Sequence, residues 1–276
     1  MVEGPRTNLR KGQPKAIVFL GGGRITSALA AGLRLDGYAG GIVVYDRHPE
    51  KLRALRREAR VQAARDLKSA VARAEMLIVA VRPASVAEML EEVAACGARP
   101  PKLCVSLAAG VPLRKLRARL PVRWARAMPS PVCRVGRGFT PLCFDASMGK
   151  SERARVRKLF ARVGAVVDVP EGQFDAITAA ASPTHGYHAL ATLAKAARDA
   201  GLRGNAALTA AAHALADGIG YWRQSGESLD DLLHEAATPG GIAAATMAAM
   251  DESGYARAVK NGIRAGVKQA RRNAKR

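Results

Sequence analysis

Residues 16–35 read AIVFLGGGRITSALAAGLRL, and this stretch decides the fold. Its first five residues are all apolar, which is typical of a strand buried in a parallel sheet. Gly21, Gly22 and Gly23 follow, and apolar residues then recur at helical spacing. Glycine lets a backbone approach a phosphate closely, and the free N–H groups of a helix N-terminus favour negative charge. The pattern therefore predicts a strand, an anion-binding turn and a helix.

The glycines match a known dinucleotide-binding motif only in part. Gly21 and Gly23 occupy the first two glycine positions of G-x-G-x-x-G, whereas Thr26 stands at the third. On its own, this turn is equally consistent with a plain connection between a strand and a helix. Features elsewhere in the sequence are needed to distinguish these two interpretations.

Composition limits the classes of partner. The chain has 276 residues, a formal net charge of +21 and only 4% aromatic residues. Its basic residues are spread over several predicted helices and are not grouped with aromatic residues. We therefore expect no specific nucleic-acid partner, and a positive field that attracts anionic cofactors and substrates.

Cysteine spacing and the N-terminus bear on location. Cys96, Cys104, Cys133 and Cys143 have no zinc-like spacing, so we expect reduced thiols in a cytoplasmic protein and no metal site. Residues 1–14 are polar and basic and lack the apolar core of a signal peptide, so we expect a flexible leader. No apolar run approaches the roughly 20 residues that span a bilayer, so we expect no membrane association.

Apolar runs alternate with helical patterns as far as Pro170. This alternation predicts a doubly wound parallel α/β sheet, in which ligands bind beyond the carboxyl ends of the strands. Gly21, Asp46, Arg82 and Ala108 all follow such ends, which favours the dinucleotide interpretation of the glycine turn. The predicted strands are residues 16–20, 41–45, 76–81, 102–107, 122–128, 139–144 and 165–169.

The second strand ends in two residues with opposite preferences. Asp46 and Arg47 lie about 20 residues after the glycines, where a dinucleotide fold contacts the ribose. Asp46 would suit a free 2′-hydroxyl, whereas Arg47 would pair with a 2′-phosphate. The alternative is a simple helix start, with Asp46 near the N-cap and Arg47 in solvent.

After Pro170 the pattern predicts helices only. Several of them are rich in alanine and apolar nearly all round, as in residues 206–216. A helix that is apolar on every side must be buried, and a region of about 105 residues offers little interior. We therefore predict that these helices are covered by a partner subunit. The predicted helices are residues 174–181, 186–200, 205–223, 229–237, 241–250 and 255–271.

Six short motifs occur along the chain, at or near the ends of the predicted strands and helices. They are FLGGGRI from Phe19, DRHPEKL from Asp46, AVRP from Ala80, VSLAAGV from Val105, RAMP from Arg126 and TPGG from Thr238. In this order they resemble the pyrroline-5-carboxylate reductase family, from about residue 16 to residue 270. The resemblance implies an N-terminal Rossmann domain (residues 15–170) and an all-helical C-terminal domain (residues 171–276). It also implies a homodimer or a higher homo-oligomer, with the active site at the domain junction.

The resemblance also implies roles for individual residues. The cofactor NADPH is favoured by Arg47, with Arg24 adding positive charge, while Asp46 leaves NADH possible. If a general acid exists, Thr238 and His185 are the candidates. The implied cofactor-binding residues are Gly21, Gly22, Gly23, Arg24 and Ile25 at the pyrophosphate, Arg47 at the 2′-phosphate, and Ala80, Val81, Arg82, Pro83, Ala108 and Ala109 on the nicotinamide side. The implied substrate-binding residues are Glu171, Glu235, Pro239, Gly240 and Gly241, with Thr238 in the same loop.

The substrate-side motifs depart from the family pattern. ASPTHGY at residues 181–187 replaces Ser-Gly-Ser-Gly-Pro-Ala-Tyr, and MPSPVC at residues 128–133 replaces Met-Pro-Asn-Thr-Pro-Ala. Ile242 and Ala243 stand where threonines usually follow the Pro-Gly-Gly sequence. Each hydroxyl lost from a charged ligand removes about 1–3 kcal/mol, while His185, Tyr187 and His188 are new polar groups in the first of these stretches.

These observations predict a reductase that transfers hydride from NAD(P)H to the C=N bond of a small cyclic imino acid. Pyrroline-5-carboxylate, giving proline, is the expected substrate. The first alternative is another imine or a small carbonyl acid, selected by His185 and His188. The second is a non-catalytic dinucleotide-binding paralogue with a regulatory role, and a basic nucleic-acid-binding module is the third.

Overall fold

In the computed structural model, which describes residues 15–273, eight strands form a single sheet flanked by helices. The predicted leader, residues 1–14, lies outside the described residues. The strands are β1 (Ala16–Leu20), β2 (Gly41–Tyr45), β3 (Gln62–Ala63), β4 (Ala74–Val79), β5 (Leu103–Ser106), β6 (Arg123–Ala127), β7 (Gly138–Phe144) and β8 (Gly164–Asp168). The helices are α1 (Arg24–Leu35), α2 (Pro49–Ala59), α3 (Leu67–Arg73), α4 (Val86–Ala95), α5 (Leu113–Arg119), α6 (Lys150–Ala161), α7 (Glu171–Ala180), α8 (Thr184–Asp199), α9 (Ala206–Ser225), α10 (Leu229–Ala236), α11 (Ile242–Glu252) and α12 (Tyr255–Asn273).

The sheet has the strand order β3-β2-β1-β4-β5-β6-β7-β8. The doubly wound α/β sheet and the helical C-terminal region expected from the sequence are confirmed. One expectation was wrong, because β7 runs antiparallel to β6 instead of parallel. Only residues 128–137 connect these two strands, with a 3₁₀ turn and no α-helix. A parallel connection needs a crossover of a dozen or more residues, so this short link returns the chain in the opposite direction.

The strands of the sheet centre are buried on both faces. In β1, Ile17 and Phe19 pack into one apolar cluster, and Val18 and Leu20 pack into another on the opposite face. All five β1 residues are buried. This explains why the strand reads as a continuous apolar run instead of an alternating one.

Two short elements between β2 and β4 were not predicted. β3 has only two residues, too few to give a periodic pattern. Helix α3 carries a local signal that could have revealed it, because Asp66 and Ser69 form a capping box. The Asp66 carboxylate accepts a hydrogen bond from the Ser69 N–H at 2.7 Å. This bond and further hydrogen bonds from the side chains of Arg65 and Ser69 lower the pKa of Asp66 to about 2.

The four cysteines are unpaired thiols, as expected from their spacing. Cys104, Cys133 and Cys143 are buried, and Cys96 is half-buried. Burial raises the pKa of both Cys133 and Cys143 to about 11. These thiols therefore stay protonated at neutral pH and have little nucleophilic character.

The chain divides into two compact units. Among the described residues, the first unit, the sheet unit, combines residues 15–181 with residues 266–273, and the second, the helical unit, is Ser182–Ala265. Helices α8 and α9 pack against each other within the helical unit. In the described residues of both units, no helix has the length and apolar character needed to cross a membrane.

Large apolar side chains remain exposed in the helical unit. Ile219 is 51% exposed and Tyr221 is 57% exposed, both on α9. In this 20-residue helix only Ala207 and Ala211 are buried. The chain by itself therefore leaves an extensive apolar surface uncovered on these helices.

Candidate functional site

A cleft opens at the carboxyl ends of the central strands. Strand β1 lies between β2 and β4, so the strand order reverses there, and ligands of doubly wound sheets bind at such a point. The cleft has a volume of about 850 Å³. Its lining includes residues from the glycine turn, the end of β2, helix α4 and the loop after β6, among them Gly21, Gly22, Gly23, Arg24, Ile25, Ser27, Asp46, Arg47, His48, Lys51, Glu58, Ala80, Val81, Arg82, Glu88 and Arg134.

Gly21 begins the turn after β1 and is the position where glycine is required. Its φ of +109° lies in the region that side-chain-bearing residues avoid. A Cβ atom there would stand 2.8 Å from the carbonyl oxygen of Ala80. The backbone of the turn therefore lies directly against the end of β4, and this close approach forms the floor of the cleft.

Thr26 explains the incomplete glycine motif. The residue is fully buried, and its hydroxyl donates a 2.6 Å hydrogen bond to the carbonyl oxygen of Gly21. A glycine at this position would lack that bond. The threonine thus fastens the first turn of α1 to the start of the glycine turn.

Helix α1 presents its N-terminus to the cleft. Its N-cap residue, Gly23, makes no side-chain capping hydrogen bond. Nothing lies within 4 Å of the place where a Gly23 Cβ would be. The open helix end and the small residue together leave space for an anion against backbone N–H groups.

Asp46 holds the glycine turn instead of standing free in the cleft. One carboxylate oxygen accepts from the Gly22 N–H at 2.7 Å, and the other accepts from the His48 N–H at 2.8 Å. Burial alone would raise the pKa of Asp46, but these hydrogen bonds and the charge of Lys51 outweigh burial and lower it below its ordinary value. The N-cap of α2 is His48, so the alternative that placed Asp46 near this cap describes its local role well.

Arg47 is ion-paired with α4. Its guanidinium donates to Glu88 Oε1 at 3.0 Å and also to Glu92. The hydrogen bond to Glu88 and the charges of both carboxylates raise the pKa of Arg47. Arg47 therefore lines the cleft, as expected for a residue that contacts the ribose, but it already has two anionic partners. Its side chain is also 49% exposed, so the alternative of a solvated arginine describes it in part.

The structure adds cleft residues that the sequence did not indicate. Arg134, in the loop between β6 and β7, donates to the Ser27 hydroxyl at 2.6 Å. Ser27 in turn donates to Glu58 at 3.0 Å. Arg134 follows Ser27 by more than a hundred residues, and no sequence spacing indicates that the two residues meet. Their contact could be found only from the fold. His48 and Lys51 lie in the DRHPEKL motif with Asp46. Their place in the cleft could therefore have been predicted from the sequence.

The residues expected on the nicotinamide side divide into two groups. Ala80, Val81 and Arg82 line the cleft. Pro83, Ala108 and Ala109 do not belong to its lining among the residues that the structure describes. Pro83 starts a 3₁₀ turn, and Ala108 donates its N–H to the Ser106 hydroxyl at 3.3 Å.

Glu171 lines a second cavity, of about 490 Å³, and not the cleft at the glycine turn. Strands β7 and β8 run opposite to the other strands, so their carboxyl ends point to the opposite end of the sheet from the cleft. The Glu171 carboxylate accepts from the Leu113 N–H at 2.7 Å and from Arg126 at 3.3 Å. Its expected role near the product stays a prediction.

Arg126 is the buried cation of this region. It is 3% exposed and pairs with Glu171 and Asp175, each at 3.3 Å. Its guanidinium also lies 4.3 Å from the centre of the Phe174 ring. The RAMP motif thus contains a structural ion-pair cluster that ties β6 to α7.

The remaining candidate residues all lie in the helical unit. Thr238, Pro239, Gly240 and Gly241 form a tight turn before α11, in which the Gly241 N–H donates to the Thr238 carbonyl at 2.9 Å. Gly240 has a φ of +75°, and Gly241 is the N-cap. Glu235 lies near the end of α10. His185 is exposed in the first turn of α8.

Two families of known proteins match this chain. Residues 16–110 match the family described as "NADP oxidoreductase coenzyme F420-dependent". Residues 171–273 match the family described as "Pyrroline-5-carboxylate reductase dimerisation". Together they cover most of the cleft and the helical C-terminal region.

Curated relatives agree with the second match. The chain is 28% identical over 259 residues to the pyrroline-5-carboxylate reductase of Synechocystis sp., an alignment that covers 91% of this chain and 96% of that relative. It is 33% identical over 193 residues to the Mycobacterium leprae pyrroline-5-carboxylate reductase, covering 67% of this chain and 65% of the relative. The chain belongs to the pyrroline-5-carboxylate reductase family.

Solved structures show that the chain has the fold of the pyrroline-5-carboxylate reductase family. The Plasmodium falciparum pyrroline carboxylate reductase with NADP bound superposes with a TM-score of 0.84 at 18% identity, covering 94% of this chain and 98% of that one. The Coxiella burnetii pyrroline-5-carboxylate reductase also gives 0.84, at 23% identity, covering 95% and 99%. Both alignments run through the sheet and the C-terminal helices.

Proposed function

We propose that this chain is an NAD(P)H-dependent reductase that converts pyrroline-5-carboxylate to proline. The main support is the cleft where the strand order reverses, in a member of this reductase family. There the Gly21 backbone lies against Ala80, and the N-terminus of α1 is open. The open Cβ position at Gly23 and the helix N-terminus beside it suit close contact with a pyrophosphate. The residues present therefore fit a nicotinamide dinucleotide.

In the proposed reaction, the cofactor supplies hydride to the C=N carbon of the substrate. The chain positions the two partners: Gly21 to Ile25 hold the pyrophosphate, Arg47 contacts the ribose phosphate, and Ala80 to Arg82 border the nicotinamide. The imine nitrogen arrives protonated, so the amine forms without a separate proton donor. Thr238 and His185 are the proposed groups near that nitrogen if a donor takes part.

The substrate carboxylate is assigned to the turn before α11. The Gly241 N–H already serves the turn itself, so the N-terminus of α11 is the proposed source of further donors. Helix dipoles favour an anion at such an end. Pro239, Gly240, Gly241 and Glu235 belong to this proposed substrate site. Glu171 is proposed separately as a substrate-binding residue.

A homodimer is part of the same proposal. Its support is the match to a reductase dimerisation family and the exposed apolar side chains of α9. A second copy would cover those side chains, as protein interfaces do. The proposal includes the cytoplasmic location expected from the sequence.

The test is the oxidation of NADPH and NADH by the purified protein with pyrroline-5-carboxylate, followed at the reduced-nicotinamide absorbance band. Rapid oxidation that depends on substrate is expected, with the larger kcat/KM for NADPH. Gly21→Ala serves as the matched variant with an impaired cofactor turn and should lose most of the rate. Cofactor binding without oxidation would overturn the proposed substrate in favour of another imine or a non-catalytic role.

A further inference from the structure

The ion pairs of Arg47 come from a single face of α4. Glu88 and Glu92 are four residues apart, so their side chains lie one above the other on that helix. Both carboxylates accept from the same guanidinium nitrogen, Nη2 of Arg47. The three side chains link the end of β2 to α4 along the wall of the cleft.

This arrangement has unequal consequences for the two nicotinamide cofactors. NADPH carries a 2′-phosphate, whose charge at neutral pH is close to −2. To reach Arg47, that phosphate must share the guanidinium with the two carboxylates and lie beside their negative charges. NADH has a neutral 2′-hydroxyl and meets neither obstacle.

We propose that Glu88 and Glu92 are specificity-determining residues that weaken the preference of this cleft for NADPH. They do so by holding Arg47 and by repelling the 2′-phosphate. The inference rests on the proposed function, because it takes Arg47 as the partner of that phosphate. Removing both carboxylates releases Arg47 and strengthens the binding of 2′-phosphorylated nucleotides only.

Two other cations of the cleft have carboxylate partners of their own. Lys51 pairs with Asp46 at 3.6 Å, and Arg134 pairs with Glu58 at 3.8 Å. Those pairs are unaffected by changes at Glu88 and Glu92. Arg24 and Arg82 also line the cleft, and their charges are the same with or without the α4 carboxylates. A change in the preference between the two cofactors after removal of Glu88 and Glu92 therefore reports on these carboxylates and Arg47.

The test compares Glu88→Gln/Glu92→Gln with the wild-type protein by titration calorimetry. The probes are 2′,5′-ADP and 5′-AMP, which differ by the 2′-phosphate, and then NADPH and NADH. In the double variant we expect affinity for 2′,5′-ADP and NADPH to rise about tenfold, or about 1.4 kcal/mol. Affinity for 5′-AMP and NADH should stay within about twofold, and the gain should shrink at high salt, which screens exposed charges.

Glu91→Gln is the matched control, because Glu91 lies on the same helix and pairs with Arg119 outside the cleft. It should leave all four affinities unchanged. Adding Arg47→Ala to the double variant should abolish the gain. Equal changes for 2′,5′-ADP and 5′-AMP, no change at all, or a gain that survives Arg47→Ala would each overturn the inference.

The design separates this inference from the proposed reaction. Binding of all four nucleotides without oxidation by pyrroline-5-carboxylate would refute the reaction, while the affinity ratios would still decide the role of Glu88 and Glu92. A protein that binds none of the four nucleotides would overturn both.

Discussion

The sheet unit and the helical unit satisfy their apolar residues in different ways. In the sheet unit, side chains such as Phe19 and Leu77 are fully buried by helices of the same chain. In the helical unit, Ile219, Tyr221 and Trp222 are between 43% and 57% exposed. The first unit thus has a complete core, whereas the second exposes the kind of surface that proteins cover on association.

This contrast indicates that stability and assembly depend on different parts of the chain. Changes in the sheet unit should act on folding and on the cleft. Changes on the exposed apolar side chains of the helical unit should act on the number of copies in the particle. Four substitutions test this division between assembly and stability. They follow in order from the largest expected effect to the smallest.

The largest effect is expected from Ile219→Asp. In the proposed homodimer this apolar surface is covered, and a carboxylate placed there loses its hydration without gaining a partner. We expect the dimer dissociation constant to rise at least about a hundredfold, or about 2.7 kcal/mol. Light scattering over a dilution series measures this. Leu35→Asp is the control, because Leu35 is 68% exposed in the sheet unit, and dissociation of both variants alike would contradict the contrast.

A smaller loss of stability is expected from Gly21→Ala. The backbone there is in a region unfavourable for alanine, and the new Cβ would lie 2.8 Å from a carbonyl oxygen. Strain of this kind costs about 1–3 kcal/mol, so Tm should fall by several degrees. Gly23→Ala is the matched control, since its φ is −78° and its Cβ position is open. Equal losses for both variants would show that the turn carries no special strain.

Thr26→Val tests the fastening of the same turn. It keeps the shape of the buried side chain but leaves the Gly21 carbonyl without its hydroxyl donor. A buried acceptor left unpaired costs about 1–3 kcal/mol, at or below the loss for Gly21→Ala. Thr26→Ser retains the donor and should lose less, as measured by chemical denaturation. A serine variant as unstable as the valine variant would refute this role of the hydroxyl.

The smallest effect is a pH dependence at Asp46. Its folded-state pKa lies below the ordinary value of 3.8, so its carboxylate stabilises the fold above about pH 4. That contribution is lost as pH falls through the folded-state pKa. Asp46→Asn lacks it, so the Tm difference from wild type should narrow between pH 5 and pH 3. A difference that stays constant over this range would contradict the assignment.

The sequence was sufficient for the sheet centre and the glycine turn. Continuous apolar runs such as residues 16–20 have one physical solution, which is burial on both faces of a parallel sheet. Gly21 was likewise predictable, because a strand followed by glycine and a helix needs a tight turn. The antiparallel direction of β7 was not predicted, because an apolar run has no direction of its own. The length of the connection carries that signal, since the predicted strands at residues 122–128 and 139–144 leave only ten residues between them, too few for a parallel crossover.

The partners of the site residues could not be read from the sequence. Arg47 was identified as a cleft residue, but Glu88 and Glu92 lie on another helix some forty residues later. Arg134 reaches Ser27 from a still more distant loop. Such contacts depend on the packing of elements, so local spacing carries no signal for them.

The hydrogen bonds around the glycine turn also bear on how a cofactor arrives. Thr26 and Asp46 hold Gly21 and Gly22 in the free protein. A loop that is already ordered loses little conformational entropy when a ligand binds, and this preorganisation increases affinity. Association at this cleft should therefore resemble docking onto a finished surface, with little folding of the turn during the encounter.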